Sequence, residues 1–402
     1  MTPPLRSALV YKGEHPAARI DKYSDRTEFR YLAPYLASDL PAVATTLPKR
    51  DQIVTTYAGA IPPFFAGLLP EGHRLSVLQR SLKASADDEL TLLLAIGADT
   101  VGDVRALPLT DDATDEVLVA RNQPFSPHPM AELTRDPSEI SFHELRAEDL
   151  PDPAGIAGVQ RKASGSMINL PGALGQRQVI VKLDPPGYPH LTRNEAAMLG
   201  LARQVGFTVP DWQLVTDRDG VDALIITRFD RAPAPLPVED AAQILGLWPA
   251  DKYNVSSEQV TVALADLTFA PAVTRLELFR RFCFALITGN GDLHAKNLSI
   301  IRDVSGRWRL SPFYDLPSTL LYGDQSMALT LQNRTENVSR RRLLEFADAI
   351  DLPQRAAQRH LALLLKATAP ALSDVQSLGL PFAPNTLREW QQQLNYRRRL
   401  LS

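Results

Sequence analysis

The apolar residues Leu276, Phe279, Cys283 and Leu286 recur at helical spacing and stop at Gly289, where the text turns polar. That break constrains the chain more than any other feature. It predicts a buried helix ended by a glycine. The loop Gly289-Asn290-Gly291-Asp292-Leu293-His294-Ala295-Lys296-Asn297 follows, and Leu298-Ser299-Ile300 then begins an apolar strand.

Asp292 and Asn297 stand at the D-x-x-x-x-N spacing of a kinase catalytic loop. The spacing has a chemical purpose. An Asp at the loop start can accept a proton from an attacking hydroxyl, and an Asn past the turn can direct its carbonyl oxygen to a phosphate-bound Mg2+. Eighteen residues beyond Asn297 stands Asp315, in Ser311-Pro312-Phe313-Tyr314-Asp315-Leu316-Pro317-Ser318. With Trp308-Arg309-Leu310 as the returning strand of a hairpin, Asp315 falls where kinase-like folds place the main Mg2+ ligand, and hard oxygens suit that ion. Each piece alone has an ordinary reading. D-x-x-x-x-N recurs by chance, and Gly-Asn-Gly-Asp and Tyr-Asp are common turn compositions.

The order of the upstream parts favours the chemical reading. Gln178-Val179-Ile180-Val181-Lys182-Leu183 is β-branched and alternating, as a strand is. Thirteen residues after Lys182, Glu195 opens a helix with apolar Ala197, Met198, Leu201 and Val205, ended by Gly206. A strand lysine followed by a helix glutamate is the clamp with which kinases hold the α/β-phosphates. Taken singly, Glu195 is equally a carboxylate favoured by a helix N-terminus. Ahead of both, Pro153-Ala154-Gly155-Ile156-Ala157-Gly158-Val159-Gln160-Arg161-Lys162 offers small residues that let backbone N–H groups approach phosphate oxygens. It matches neither the P-loop pattern nor G-x-G-x-x-G.

With 402 residues, the chain predicts two or three domains. The prolines, 32 in all, cluster at 124–129, 151–153, 185–189 and 233–237 and act as punctuation. The expected organisation is an N-terminal subdomain over 1–110, a linker over 111–150, an N-lobe with the phosphate loop over 151–235, and a helical C-lobe over 236–402. Runs at 64–70 and 92–97 predict short buried helices, and Ala223-Leu224-Ile225-Ile226-Thr227 a buried strand. A net charge of −3 argues against a strongly basic nucleic-acid binder. The single cysteine, Cys283, reads as a small buried hydrophobe. Arg397-Arg398-Arg399 reads as a surface helix. Neither a signal peptide nor a run of about 18 apolar residues is recognised, so a cytoplasmic protein without membrane contact is expected.

Taken together, these residues resemble the HipA family of bacterial toxin kinases. The matching blocks are 289–300, Phe313-Tyr314-Asp315, Ala157-Gly158-Val159-Gln160-Arg161-Lys162, Asn194-Glu195, Arg228-Phe229-Asp230-Arg231, and Glu239-Asp240 with Gln243, Gly246, Lys252 and Tyr253. Phe29-Arg30-Tyr31, 64–70, and Ala95-Ile96-Gly97 with Val101-Gly102 extend the likeness to the N-terminal section.

The resemblance implies an α+β, two-lobed protein-kinase-like fold with an extra N-terminal α/β subdomain and a mainly helical C-lobe. It implies ATP- and Mg2+-dependent phosphorylation of Ser or Thr on a cytoplasmic protein, for some members an aminoacyl-tRNA synthetase, with growth arrest as the result. It also implies a HipB-like helix-turn-helix antitoxin, with DNA engaged only through that partner. Asp292 would be the catalytic base, Lys182 the α/β-phosphate contact supported by Glu195, and Asn297 and Asp315 the Mg2+ ligands. Thr227, Phe229 and Asp230 would lie at the hinge, with Asp230 near the ribose, and Ala157, Gly158, Val159 and Gln160 over the phosphates. His294 and Lys296 fall inside the catalytic motif, Lys296 as a cation near the γ-phosphate. Regulated family members carry a serine in the phosphate loop where this chain has Gly155, so autophosphorylation at that position is not expected; Ser164 and Ser166 lie downstream. Two rival readings remain open: a small-molecule kinase of the aminoglycoside or choline type, and a non-catalytic corepressor partner of a DNA-binding antitoxin.

Overall fold

The computed structural model describes residues 6–85, 87–125, 131–132, 141–142, 167–231 and 234–402. The phosphate-loop residues Ala157, Gly158, Val159 and Gln160, together with Gly155, Ser164 and Ser166, lie outside them. The chain forms two compact units. The first comprises 1–130, 230–251 and 301–303; the second comprises 131–229, 252–300 and 304–402.

In the first unit, β1 (Arg6–Lys12), β2 (His15–Lys22), β3 (Arg26–Tyr31), β4 (Val54–Tyr57) and β5 (Val104–Leu109) form one antiparallel sheet in the order β4-β3-β2-β1-β5. Its apolar face carries Ala8, Val10, Ile20 and Phe29. Among the helices covering that core are α1 (Pro63–Leu68) and α2 (Glu89–Ile96), which realise the two short helices expected from the sequence. The later segment 230–251 belongs to this unit because its polar groups are satisfied here. Glu239 accepts from the backbone N–H of Thr45 at 3.1 Å, and Gln243 donates to the carbonyl of Phe64 at 3.0 Å. The buried Arg231 guanidinium meets Asp99 at 2.7 Å and the carbonyl of Gly102 at 2.9 Å. The first unit thus takes in stretches that the sequence division assigned to 151–235 and 236–402.

In the second unit, β6 (Ala131–Glu132), β7 (Ile168–Leu174), β8 (Arg177–Leu183), β9 (Trp212–Thr216) and β10 (Asp222–Thr227) form a sheet in the order β6-β7-β8-β10-β9. Side chains alternate across a strand. Val179, Val181 and Leu183 of β8 therefore enter one core with Ile168, Ala223 and Ile225, while Ile180 and Lys182 turn to the opposite face. Helix α3 (Leu191–Gln204) packs on β10 and β9 and buries Asn194 and Glu195 completely.

Beyond the sheet the unit is helical: α4 (Ser257–Leu267), α5 (Pro271–Thr288), α6 (Arg340–Ala349), α7 (Gln354–Ser373) and α8 (Pro384–Leu401). The hairpin β11 (Ser299–Arg302) and β12 (Trp308–Leu310) follows α5. Helix α5 is the buried helix expected before Gly289, and Cys283 within it is fully buried. The arginine run lies on helix α8, with Arg399 exposed and its two neighbours half-buried. Arg398 donates to Thr368 Oγ1 at 2.9 Å and to the carbonyl of Leu365 at 2.7 Å, and Arg397 donates to the carbonyl of Gln325.

Candidate active site

Helix α5 ends with Gly289 at φ 74°, a left-handed conformation that a side chain would strain. Space forbids one as well, since a Cβ there would lie 2.2 Å from Leu320 Cδ1. The glycine turns the chain sharply out of the helix, and Asn290 N closes the turn on the carbonyl of Ala285 at 2.9 Å. The loop is then braced from the far side: Thr319 N donates to the carbonyl of Gly289 at 2.9 Å, and Gly291 N to Thr319 Oγ1 at 2.8 Å. Asn290, which composition marks only as a turn residue, works twice. It accepts from Asp292 N at 2.9 Å and donates to the carbonyl of Asp315 at 3.2 Å, tying the two loops together.

Asp292 is 1% exposed. Its carbonyl accepts from His294 N at 2.8 Å and from Asn297 Nδ2 at 2.8 Å, and its carboxylate Oδ1 accepts from the Tyr253 hydroxyl at 3.2 Å. Asn297 Nδ2 also donates to Asp315 Oδ2 at 2.9 Å. Both bonds use the amide nitrogen, so the amide oxygen is the atom turned toward any cation. A carboxylate and an amide oxygen side by side are hard ligands, and two such groups plus phosphates are what Mg2+ takes from a protein. Among the described residues no group of three or more His, Cys, Asp or Glu side chains could hold a metal. Asn297 and Asp315 therefore fit a nucleotide-borne Mg2+ rather than a metal caged by protein alone.

Asp315 sits at φ 60°, a left-handed backbone that a non-glycine residue adopts only where its surroundings hold it. The holders are visible. Phe313 is buried against Phe207 and Phe284, with ring centroids 5.3 and 6.0 Å away. The buried Arg281 of α5 donates to the carbonyl of Ser311 at 2.6 Å and lies 4.9 Å from the Phe313 ring. On the other side, Asn194 of α3 exchanges two bonds with the backbone of Ser318, at 2.9 and 3.0 Å. Trp390 Nε1 donates to Ser318 Oγ at 3.0 Å.

Lys182 is the centre of charge. Its ammonium meets Glu195 at 2.8 and 2.9 Å and Asp315 Oδ1 at 3.0 Å. Burial alone would lower the lysine, but Asp315 and then Glu195 outweigh it and raise its pKa. Burial raises Glu195 to about 7 against the pull of Lys182, with Asp315 adding like-charge repulsion. Asp315 is held below the usual carboxylate range: burial pushes it up, and Lys182, His294 and Lys252 together pull it further down. The site is thus a lysine facing one carboxylate whose pKa its cation neighbours lower and a second whose pKa burial raises.

The remaining expected residues are placed as follows. His294 is buried with its ring edge-on to Tyr253, centroids 5.2 Å apart. Lys296 offers its backbone carbonyl to the Tyr314 hydroxyl at 2.9 Å. Thr227 ends β10, its N–H donating to the carbonyl of Asp211 at 2.8 Å. Phe229 lies against Tyr314, with ring centroids 5.5 Å apart. Asp230 lies in the first unit, where its buried carboxylate accepts from Gly102 N at 3.0 Å and from Arg231 at 2.7 Å. Lys182, Glu195, Asp292, Asn297 and Asp315 converge in the second unit. Spacing alone gave no sign of Asn194, Asn290, Lys252, Tyr253 or Arg281; Asn194, Lys252 and Tyr253 stood out only as family likenesses.

A sheet lysine salt-bridged to a helix glutamate, facing a loop Asp and Asn and a hairpin Asp, places the protein in the protein-kinase-like class. The family profiles agree with that class: the HipA-like C-terminal domain matches residues 154–372 and the HipA N-terminal domain residues 8–107. The chain belongs to the HipA family. It is 30% identical over 355 residues to the kinase-like protein Y4dM of Sinorhizobium fredii, covering 81% of this chain and 80% of that one. It is 26% identical over 385 residues to the serine/threonine-protein kinase toxin HipA of Shewanella oneidensis, covering 88% and 85%. The solved complex of Shewanella oneidensis HipA with HipB and operator DNA shares the fold, with a TM-score of 0.76 at 22% identity over 97% of this chain and 96% of that one. Among the described residues no helix is long and apolar enough to cross a membrane.

Proposed function

We propose that this chain transfers the γ-phosphoryl group of ATP to a serine or threonine hydroxyl of a protein and acts as the toxin of a toxin–antitoxin pair. The carrying observation is the buried Lys182–Glu195–Asp315 cluster joined through Asn297 to Asp292. In this reading Lys182 holds the α/β-phosphates and Asn297 and Asp315 hold Mg2+, which when bound neutralises charge on the β- and γ-oxygens. Asp292 takes the proton of the acceptor hydroxyl as its oxygen bonds to the γ-phosphorus; the bond from that phosphorus to the β–γ bridging oxygen breaks, and ADP leaves. Thr227 and Phe229 serve the adenosine end, and Ala157, Gly158, Val159 and Gln160 cover the phosphates. Lys296 supplies positive charge beside the γ-phosphate, and His294 lies within the same motif.

The solved Shewanella relative, with HipB and operator DNA, supports a HipB-like antitoxin as partner, with DNA reached through it. An aminoacyl-tRNA synthetase is the substrate we propose to test first, and the cytoplasm is the compartment the reading requires. The decisive experiment incubates the purified full chain, Mg2+ and γ-labelled ATP with a cell lysate. Label is expected on protein, and Asp292→Asn is expected to lower the rate by about 1,000-fold or more, because general-base help and correct orientation are lost together. Label appearing on a soluble metabolite, or an Asp292→Asn variant as active as the parent, overturns the reading. Arrest of growth on expression, relieved by the antitoxin and absent in the variant, tests the toxin half.

A further inference from the structure

We infer that Tyr253 is a positioning residue for the base Asp292, acting through the bond from its hydroxyl to the carboxylate oxygen Oδ1. The inference rests on the kinase reading and deepens it.

The backbone of Asp292 is pinned at both ends by Asn290 Oδ1, His294 N and Asn297 Nδ2. Those bonds hold the main chain and not the carboxylate. The Tyr253 hydroxyl engages the carboxylate itself, at Oδ1, from 3.2 Å. Tyr253 is itself held firmly enough to aim a neighbour. One side of the ring takes the edge contact with His294, centroids 5.2 Å apart at 80°. The Lys252 ammonium lies 5.2 Å from the ring centre. The carbonyl of Lys252 accepts from Ala295 N at 3.3 Å, so the 252–253 backbone is stitched to the catalytic loop itself. A cation near a phenol ring draws electron density from it and makes the hydroxyl a better donor to a carboxylate. Lys252 is itself buried, at 9% exposure, and its charge reaches Asp315. Two adjacent residues thus act on both acids, Tyr253 by a hydrogen bond to Asp292 and Lys252 by its charge on Asp315. In the transfer, the acceptor proton passes to the Asp292 carboxylate, the acceptor oxygen bonds to the γ-phosphorus, and ADP departs with the bridging oxygen.

Tyr253→Phe keeps the ring and its packing and removes only the hydroxyl; Tyr253→Leu removes both. The readouts are kcat and KM for Mg2+-ATP, from label transfer to lysate protein and from ADP release, with the melting temperature alongside. Tyr253→Phe is expected to lower kcat by about 10- to 100-fold, the worth of one hydrogen bond to a charged group. KM for ATP and the melting temperature should stay at parental values. A Tyr253→Phe rate within threefold of the parent, with loss only in Tyr253→Leu, makes Tyr253 a packing residue and overturns the inference. A loss in Tyr253→Phe matched by lowered stability or a raised KM overturns it as well. If the parent shows no ATP turnover at all, the kinase reading itself has failed. If the parent is active, Asp292→Asn is dead and Tyr253→Phe is normal, only the positioning role has failed.

Discussion

At the scale of single residues, the Lys182 cluster makes a prediction that separates charge from chemistry. Lys182 faces two carboxylates, Glu195 with a fully buried side chain and Asp315 with one 22% exposed. Lys182→Met strands both, and removing one member of a buried ion pair costs about 3–5 kcal/mol. Glu195→Gln leaves the Lys182–Asp315 pair intact and replaces a group whose pKa already stands near 7 with a neutral isostere, so about 1 kcal/mol is expected. Urea titration of both variants at pH 7 checks the order; equal losses would mean the cluster does not hold its charges as described. Lys182 was legible from the sequence because alternation along one strand is a local property: the Val179/Val181/Leu183 face enters the core, and Lys182 must turn the other way. Tyr253 was not, because 39 residues separate it from Asp292 and no period joins a turn residue to a distant loop.

Among the elements, α5 decides where the catalytic loop begins. Gly289→Ala forces an alanine to φ 74° and drives its Cβ to 2.2 Å from Leu320 Cδ1. Backbone strain and overpacking together should cost about 2–4 kcal/mol. Because Thr319 braces the loop through the carbonyl of Gly289, activity should fall more than the remaining folded fraction does; a fully active, parent-like Gly289→Ala would refute this account of the turn. Elements of strong period were readable with near-correct ends: 178–183 against Arg177–Leu183, and 194–205 against Leu191–Gln204. The arginine run at the end of α8 was legible as part of a helix, but a run of like charge says nothing about which carbonyls a neighbouring helix offers. Arg281 escaped notice for the same reason: it reaches the carbonyl of Ser311 and anchors the loop that carries Asp315.

For the molecule as a whole, the sequence marked where the chain turns but not how its compact units are drawn. Proline-rich text marks where a chain turns, whereas membership of a compact unit depends on contacts such as Glu239 with Thr45 and Arg231 with Asp99, made across far more than a hundred residues of sequence. The division has a measurable consequence. Lys182, Glu195, Asp292, Asn297 and Asp315 all lie in the second unit, together with Trp212, Trp308 and Trp390, while Trp248 lies in the first. Tryptophan fluorescence therefore reports mainly on the unit that carries the site. A ligand that binds only the native state stabilises it by about 2.7 kcal/mol at a hundred times its dissociation constant. Mg2+-ATP should accordingly raise the fluorescence melting transition by several degrees, and ATP with a chelator should raise it less. The increment due to Mg2+ should vanish in Asp315→Asn, which removes the carboxylate but keeps a side chain able to bond Asn297. Retention of the full Mg2+ increment in that variant would remove Asp315 from the metal site, and with it the role assigned to the left-handed turn that presents it.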